Sequence, residues 1–416
     1  MTFCGKKGLV LGSGTSGRGA MLALKKLGAE AIQADTEYLP EEITGCDFAV
    51  VSPGIRHDHP VYKYARVHDM PVYGEIGLGA MLNKAPVIGV TGTNGKTTTV
   101  SMLGSIYEAA GVRADVCGNI GRSFAEAACE GGCDRVILEL SSFQLLQAAP
   151  LKVHIACITN LSADHLDYHG NMLEYRHAKL KIADGQTPED FLIVPEKLNL
   201  VGMRGSPTLL VFGRDCYEKE GRLYVMGAPF MRADELKAGG RHNVQNALNA
   251  ALAAFADGIP PAAIRDGLMS FVPGDYRISP AGVYNGCAFY NDSKGTNIGA
   301  TLAAARCMTG STALIAGGSD KGYDYDELFR GLPGNVTAVF VTGGNSAGIL
   351  ESAARMGYAG AVACDSLGDA VRRAASGGFD SVLFSPASAS FDRYANYEER
   401  GRAFESEVKK LFGSTS

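Results

Sequence analysis

The sequence predicts an α/β protein of three domains, each built on a mostly parallel sheet, and three observations lead to that prediction. Its 416 residues exceed what one hydrophobic core usually organises. Short apolar runs alternate with longer amphipathic ones, which is typical of alternating strands and helices. The alternation starts afresh twice, so we expect domains over residues 1–82, 83–272 and 273–416.

The first domain is predicted to be Rossmann-like. Strand "GLVLG" leads into the glycine turn "GSGTSG" and a helix over residues 17–28, and strands "AIQAD", "FAVVSPG" and "PVYG" follow. The turn matches GxGxxG, with Asp35 ending the next strand, a pattern typical of dinucleotide binding. Any diphosphate at a strand-to-helix turn favours such glycines, so the motif alone leaves open which nucleotide binds.

The second domain is predicted to hold a phosphate loop. Strand "APVIGVTG" runs into "TNGKTT" and a helix over residues 95–111, and strands "RVILEL" and "HIACITN" follow. Only two residues separate Gly92 from Gly95, so the loop is shorter than the common phosphate loop. Its chemistry is the same, because backbone N–H groups at a helix N-terminus, Lys96 and the Thr97 hydroxyl can meet phosphates and Mg²⁺.

The remaining segments complete the second domain and form the third. A hairpin, "GRLYVMG", and a helix opened by "RHNVQNALNAALAAF" precede the Pro-Gly punctuation of "FVPGD". Strands "CAFYNDS", "TALIAGG", "AVFVTGG" and "SVLFSPAS" then end in small or polar residues. They predict a second Rossmann-like domain, whose ligands would bind beyond the carboxyl ends of the strands.

Composition disfavours several classes of function. The net charge of -5 comes without a basic patch interleaved with aromatics, which disfavours nucleic-acid binding. No apolar stretch reaches membrane-spanning length and the first residues lack a signal-peptide pattern, so we expect a cytoplasmic protein that does not bind membranes. The ten cysteines lack metal-site spacing and are expected to be reduced. Small molecules are the expected partners, and a monomer is the expected state.

Polar residues at strand and helix ends are the candidates for chemistry. Glu139 follows three apolar residues, and an unpaired buried carboxylate is costly, which favours a functional role. His165 is either a metal ligand or part of a helix-start network. Lys179 has the spacing of an ordinary lysine on an amphipathic helix. Asn243 and Asn246 are placed to read an adenine or ribose, although Asn243 can also cap its helix.

The short loop "GVTGTNGKTTT" resembles that of the Mur ligases and the related folylpolyglutamate synthases, which phosphorylate a carboxylate with ATP before forming an amide bond. The segments "ELSSFQ", "DHLD" and "RHNVQNALNAA" match the family too, and the likeness runs from Gly12 to Gly401. It implies an ATP-dependent amide ligase that uses ATP and two Mg²⁺ ions and works in peptidoglycan precursor synthesis.

The resemblance also implies roles for individual residues. Lys179 would be carbamylated by CO2 and ligate a second Mg²⁺. The catalytic residues would be Lys96, Glu139, His165, Lys179 and Lys294, and the metal ligands Thr97, Glu139, His165 and Lys179. The ATP-binding residues would be Gly92, Thr93, Asn94, Gly95, Lys96, Thr97, Thr98, Asn243, Asn246, Arg277 and Asp292. The family pattern fails beside Arg277, where Tyr276 and Ser279 replace the usual His and Glu.

The third-domain segments "NDSKGTN", "AGGSDKGYDY" and "SPASASFDRYANYEERG" resemble the family members that add D-glutamate. A substrate with two carboxylates needs several cations or N–H donors. The implied D-glutamate contacts are Thr296, Lys321, Ser390 and Phe391, with Tyr397 beside them. Lys294 would orient the acceptor or an ATP-side group. UDP-N-acetylmuramoyl-L-alanine would contact Thr15, Ser16, Asp35, Thr36, Ser52, Gly54, Asn119, Ser141 and Gln144. Glu37 stands where some relatives carry Arg, which weakens the uracil assignments.

Three other interpretations remain. A sibling ligase would add another amino acid, a dehydrogenase would bind NAD and tolerate Lys96→Ala, and a non-catalytic nucleotide-sugar-binding protein would leave ATP intact. Hinges near residues 82 and 272 also predict that the third domain closes during the reaction. Solution scattering that does not change on adding nucleotide and UDP-substrate would contradict closure.

Overall fold

The computed structural model describes residues 3–35, 39, 41–238, 240–320 and 322–413. Two compact units make up the chain, one of residues 1–237 and 243–271, the other of residues 238–242 and 272–416. The first unit contains two sheets and the second contains one. The α/β class with three sheets is as predicted, and the boundaries near residues 82 and 272 fall between sheets. As limits of separate domains, those boundaries stay predictions.

The first sheet is a Rossmann-like sheet of four parallel strands in the order β2-β1-β3-β4. Its strands are β1 (Lys7–Leu11), β2 (Glu30–Ala34), β3 (Phe48–Val51) and β4 (Val72–Tyr73). Its helices are α1 (Thr15–Lys26), α2 (Pro60–Val67) and α3 (Glu75–Leu82). Helix α1 begins two residues before the predicted start, because Gly14 takes the N-cap position.

The second sheet has nine strands in the order β13-β12-β11-β10-β9-β8-β5-β7-β6. The parallel part comprises β5 (Val87–Thr91), β6 (Ala114–Gly118), β7 (Arg135–Glu139), β8 (Ile155–Ile158), β9 (Phe191–Pro195) and β10 (Thr208–Phe212). Strands β11 (Cys216–Lys219), β12 (Arg222–Val225) and β13 (Ala228–Arg232) form an antiparallel extension at one edge. The predicted hairpin "GRLYVMG" is part of that extension.

The helices that follow these strands carry part of the candidate site. They are α4 (Lys96–Ala109), α5 (Phe124–Glu130), α6 (Ser142–Leu145), α7 (Leu166–His169), α8 (Met172–Leu180), α9 (Arg241–Ala256) and α10 (Pro261–Ser270). Strands β5 and β8 are buried along their whole length and β7 is buried after its first residue, and β5 lies between the other two. Because parallel strands end at one edge, the loops after these three strands meet there.

The third sheet has six strands in the order β14-β15-β19-β16-β17-β18. They are β14 (Ser279–Tyr284), β15 (Cys287–Asn291), β16 (Thr312–Ala316), β17 (Val336–Val341), β18 (Ala361–Ala363) and β19 (Ser381–Phe384). The helices are α11 (Ile298–Ala305), α12 (Asp326–Gly331), α13 (Ser346–Arg355), α14 (Leu367–Ser376) and α15 (Tyr397–Gly413). Only β14 is antiparallel, and as an edge strand it accommodates Pro280.

Two further observations bear on the sequence predictions. All ten cysteines are free in the structure, and their reduced state stays a prediction. Among the described helices, none combines the length and hydropathy that a bilayer crossing requires.

Glu75 gives the first unit a pH-dependent stability. It is 3% exposed; its Oε1 accepts a hydrogen bond from the Ala125 backbone N–H at 2.5 Å, while Oε2 has no hydrogen-bond partner among the described residues. Burial raises its pKa from 4.5 to about 7. The folded protein therefore holds the proton more tightly than the unfolded chain does.

We expect the free energy of unfolding to fall by up to about 3 kcal/mol as the pH rises from about 4.5 to about 7, through the ionisation of Glu75. Glu75→Gln should remove this part of the slope, whereas Glu108→Gln, at an exposed position of α4, should keep it. Urea unfolding at several pH values measures the difference. Identical slopes in the wild type and Glu75→Gln would contradict the expectation.

Candidate active site

The phosphate loop occupies residues 92–95 between β5 and α4. Both of its glycines are required by the backbone, since Gly92 has φ 144° and Gly95 has φ 85°. An added Cβ would lie 2.0 Å from Thr159 Oγ1 at Gly92 and 2.3 Å from Asn246 Oδ1 at Gly95. The loop is therefore packed closely against two neighbouring elements, and larger residues do not fit at either position.

The segment after β8 fixes the shape of this loop. Asn160 accepts a hydrogen bond from Asn94 N (3.0 Å) through Oδ1 and donates one to Asn94 O (2.9 Å) through Nδ2. Its backbone oxygen accepts a bond from Thr93 N at 3.0 Å. Thr159 Oγ1 also donates to Asn94 O, at 2.6 Å. Sequence reasoning did not identify Thr159 and Asn160, although polar residues directly after a buried strand were the available signal.

Lys96 lies over the loop that it follows. Its Nζ donates to the backbone oxygens of Gly92 (3.0 Å) and Thr93 (2.8 Å). The ammonium is thus placed at the N-terminus of α4, where backbone N–H groups and the helix dipole favour an anion. Thr97 is half-buried and Thr98 is 6% exposed. These residues lie where the phosphate grip is predicted, and their contact with phosphates stays a prediction.

Glu139 ends β7 beside the phosphate loop and is 2% exposed. It pairs with Val90 of β5 in the sheet register. Its Oε1 accepts a hydrogen bond from Asn119 Nδ2 at 3.0 Å, while Oε2 has no hydrogen-bond partner among the described residues. A buried carboxylate oxygen without a partner is costly, and a bound cation would satisfy it.

His165 directly precedes α7 in a left-handed conformation, with φ 54°. Its backbone N donates to Asp164 Oδ1 at 3.0 Å, and its Nε2 lies 3.6 Å from Asp164 Oδ2. The Phe143 ring packs edge-on against the imidazole, with centroids 4.9 Å apart. The helix-start network is therefore present, and the ligand role of His165 stays a prediction.

Lys179 is not an ordinary surface lysine, because its side chain is only 2% exposed. Its Nζ donates to Gly92 O at 2.7 Å and lies 3.5 Å from Thr91 Oγ1. The Tyr175 ring faces the same nitrogen, with its centroid 4.6 Å away. Burial and the charge of Lys96 hold the pKa of Lys179 well below its usual range. The family resemblance located this residue, whereas its spacing on α8 did not.

Two predicted pairs have contacts within the protein. Ser141 and Gln144 form a capping box at the start of α6, so both have a structural role in addition to the predicted substrate contact. Asn246 Nδ2 donates to Asn243 Oδ1 at 3.3 Å. Asn243 is the third residue of α9, so the alternative that it caps this helix is wrong. The pair instead lies next to the phosphate loop through Asn246.

The predicted UDP-substrate residues of the first sheet follow the carboxyl ends of three adjacent strands. Thr15 and Ser16 follow β1, Asp35 is exposed after β2, and Ser52 and Gly54 follow β3. The two ends of the glycine turn are in close contact, because a Cβ added at Gly17 would lie 1.9 Å from Gly12 O. Thr36 and Glu37 lie outside the described residues. The described residues of this set thus lie at the carboxyl end of the sheet, where the UDP-substrate is predicted to bind.

The second unit groups the remaining candidates at the ends of β15 and β19. Asp292 accepts a hydrogen bond from Ser385 Oγ at 2.7 Å, and burial raises its pKa to about 7 despite the nearby charge of Arg277. Lys294 Nζ donates to Tyr397 OH at 2.7 Å and lies 4.1 Å from the centroid of that ring.

The other predicted D-glutamate contacts differ in exposure. Thr296 is half-buried and Ser390 is 2% exposed, whereas Phe391 is 75% exposed. Lys321 lies outside the described residues. A large apolar ring in contact with water at a predicted binding loop is one surface that a ligand would cover.

Arg400 is a buried cation that sequence reasoning did not identify. It is 3% exposed, and its guanidinium donates to Ser293 Oγ (3.1 Å) and Ser293 O (2.8 Å). It also donates to Ser388 O and Ala389 O, both at 2.9 Å. Burial lowers its pKa to about 10, so it remains charged at neutral pH. Arg400 thereby joins the loops that follow β15 and β19.

Comparison with known proteins gives the same class as the fold and the site. A family profile described as "Mur ligase middle domain" matches residues 90–254. MurF from Acinetobacter baumannii has the same fold, with a TM-score of 0.66 and 20% identity, over 99% of this chain and 91% of that one. A pseudomurein peptide ligase type C from Methanothermus fervidus gives a TM-score of 0.64 and 18% identity, over 98% and 100% of the two chains. The class defined in this way is that of the Mur ligases.

Two curated relatives are similar over nearly the whole chain. The protein from Caldanaerobacter subterraneus subsp. tengcongensis is 35% identical, over 98% of each chain, and that from Streptococcus suis is 37% identical, over 96% of each. Both are named UDP-N-acetylmuramoylalanine–D-glutamate ligase. The chain therefore belongs to the Mur ligase family, and the predicted resemblance is confirmed.

Proposed function

We infer that this protein is an ATP-dependent amide ligase that adds D-glutamate to UDP-N-acetylmuramoyl-L-alanine in peptidoglycan precursor synthesis. The observation that carries this conclusion is the 35–37% identity with D-glutamate ligases over 96–98% of the chain. The loop of residues 92–95, with Lys96 over it, supports the assignment of the ATP site that such a reaction needs.

Mg²⁺ is the second cofactor of the reaction, and the residues present fit it. Glu139 offers a buried oxygen that lacks a partner among the described residues, and hydroxyl and carboxylate oxygens are the ligands that Mg²⁺ prefers. We propose that Thr97, Glu139, His165 and Lys179 hold two ions. Bound there, Mg²⁺ would neutralise charge on the phosphate oxygens. Within the described ranges, no group of three or more His, Cys, Asp or Glu side chains is suited to hold a metal ion. The proposed metal ligands are therefore complete only with Lys179 and the phosphates of ATP.

Lys179 is proposed to act as a carbamate. The ammonium first gives up a proton, and the neutral amine then attacks CO2. A bond forms between Nζ and carbon as one C–O π bond breaks, and a second proton leaves to solvent. Overall a cation becomes an anion with two oxygens. Burial among the phosphate loop and Tyr175 favours the neutral amine that this step requires. The resulting carboxylate-like group is a hard ligand of the kind that Mg²⁺ binds.

The substrates are assigned to the strand ends described above. The UDP end would contact Thr15, Ser16, Asp35, Thr36, Ser52, Gly54 and Asn119, and the muramoyl end Ser141 and Gln144. D-Glutamate would contact Thr296, Lys321, Ser390 and Phe391, with Tyr397 beside them, and Lys294 would orient the acceptor or an ATP-side group. The adenine side of ATP would contact Asn243, Asn246, Arg277 and Asp292. The positions of the described residues at the carboxyl ends of parallel strands support these assignments.

The reaction follows from these groups. The L-alanyl carboxylate attacks the γ-phosphorus of ATP, ADP leaves and an acyl phosphate forms. The deprotonated amine of D-glutamate then attacks the acyl carbon, the C–N bond forms, and inorganic phosphate leaves as the nitrogen gives up a further proton. Lys96 stabilises charge on the transferring phosphoryl group. We propose that the chain acts as a cytoplasmic monomer, which light scattering after size exclusion tests for the oligomeric state.

The function is tested by phosphate release from ATP with Mg²⁺ and UDP-N-acetylmuramoyl-L-alanine. Release should require D-glutamate and should not occur with L-glutamate, L-alanine or meso-diaminopimelate. Release with another of these amino acids would keep the ATP chemistry and overturn the D-glutamate assignment. The absence of release with all four would leave the dehydrogenase and the non-catalytic binding protein, which NAD and UDP-substrate binding then distinguish.

A further inference from the structure

The turn after β6 is built against the candidate metal carboxylate. Gly118, the last residue of β6, pairs with Glu139 in the parallel register and has φ 107°. A Cβ at this position would lie 2.4 Å from Glu139 O, so only glycine allows this approach. The Gly118 N–H donates to Arg122 O at 3.0 Å, which closes the turn. The main chain thus holds the next residue directly over Glu139.

That next residue, Asn119, contacts Glu139 twice. Its backbone N donates to Glu139 O at 3.0 Å, and its side-chain Nδ2 donates to Glu139 Oε1 at 3.0 Å. The main chain of Asn119 is hydrogen-bonded to the main chain of Glu139. The side-chain amide of Asn119 is therefore held at a fixed position relative to the Glu139 carboxylate. Of the two carboxylate oxygens, only Oε2 remains without a hydrogen-bond partner among the described residues.

We propose that Asn119 is a positioning residue for the Glu139 carboxylate, which it holds so that Oε2 is presented to a divalent cation. The proposal rests on the proposed function, and it gives Asn119 a role other than the substrate contact implied by the family resemblance. The Asn119 amide donates a hydrogen bond to Glu139 Oε1, and this bond hinders rotation of the carboxylate about the Cγ–Cδ bond. Hydrogen-bonding partners of metal-binding carboxylates act in this way elsewhere, and their loss weakens metal binding about 10–100-fold.

The two roles of Asn119 predict different losses of binding in the Asn119→Ala variant. If Asn119 orients Glu139, Asn119→Ala weakens metal binding and leaves the affinity for UDP-substrate nearly unchanged in the absence of metal. If Asn119 contacts the substrate instead, the same variant weakens UDP-substrate binding and leaves metal binding unchanged. Asn199→Ala is the matched control, since Asn199 is exposed and accepts a bond only from Val201 N among its described contacts.

The experiment measures Mn²⁺ binding by electron paramagnetic resonance in the presence of a non-hydrolysable ATP analogue. Calorimetric titration with UDP-N-acetylmuramoyl-L-alanine in EDTA is the second readout. We expect Asn119→Ala to weaken Mn²⁺ binding about 10-fold or more, Glu139→Gln to weaken it further, and Asn199→Ala to match the wild type. The apparent KM for Mg²⁺ should rise in Asn119→Ala, and excess Mg²⁺ should restore most of kcat.

Wild-type Mn²⁺ affinity in Asn119→Ala would overturn the proposal, whatever happens to UDP-substrate binding. A wild-type protein that binds no Mn²⁺ would overturn it together with the metal site of the proposed function, and the control variant would show the same result. If Asn119→Ala does not fold, Asn119→Ser provides the same comparison, because its shorter hydroxyl does not reach Glu139 Oε1 as the amide does.

Discussion

Lys96→Ala is expected to lower the rate of ATP-dependent phosphate release by about 10²–10³-fold, the usual loss when one preorganised donor to a developing charge is removed. The ammonium lies over the loop of residues 92–95 and contacts its backbone through two hydrogen bonds, at 3.0 and 2.8 Å. No other described lysine donates to two oxygens of this loop. Phosphate release with saturating D-glutamate and UDP-substrate measures the effect.

The fold should survive this substitution, because Lys96 is only half-buried at the start of α4. Lys84→Ala, an exposed lysine just before β5, is the matched control and should keep wild-type activity. Activity of Lys96→Ala within about threefold of the wild type would contradict the phosphate grip. It would favour the interpretation that the first glycine turn binds the only nucleotide.

Lys179→Met is expected to lower activity by about 100-fold or more, since it removes the nitrogen on which the carbamate forms while keeping an unbranched side chain. The wild-type enzyme should lose activity in buffers freed of CO2 and recover it when bicarbonate is added. Both effects follow from a buried nitrogen that lies 2.7 Å from Gly92 O, next to the phosphate loop. Lys181→Ala, two residues further along the chain, should show neither effect.

Intact mass measured under gentle conditions provides an independent check on Lys179. We expect the active wild-type protein to carry the added mass of one CO2, and Lys179→Met to lack it. An active enzyme with only the free amine, and with activity independent of bicarbonate, would contradict carbamylation. A large loss in Lys179→Met together with that result would assign Lys179 a role as a cation instead.

The parts of the site that the sequence predicted are those carried by short segments. The phosphate loop of residues 92–95 and the strand-end Glu139 each follow from a few consecutive residues, because glycine conformation and the cost of burying a carboxylate are local properties. The role of Lys179 was available only through the family resemblance. Its helical spacing indicated a solvated lysine, and only the packing of α8 against the phosphate loop makes it buried.

The parts that the sequence did not predict are contacts between distant segments. Asn160 bonds to Asn94, 66 residues away, and Arg400 bonds to Ser293, 107 residues away. Neither hydrogen bond can be predicted from residue spacing along the chain, because both depend on which strands are neighbours in a sheet.

By itself the sequence determined the class of fold, the nucleotide loop and, through its motifs, the family. The tertiary structure alone decided that Asn119 meets Glu139, that Asn160 fixes the phosphate loop and that Arg400 joins the loops after β15 and β19. The physical reason is the strand order, which places β6 beside β7, β5 between β7 and β8, and β19 between β15 and β16. That order brings the polar ends of separate segments within hydrogen-bonding distance, where buried groups must find partners.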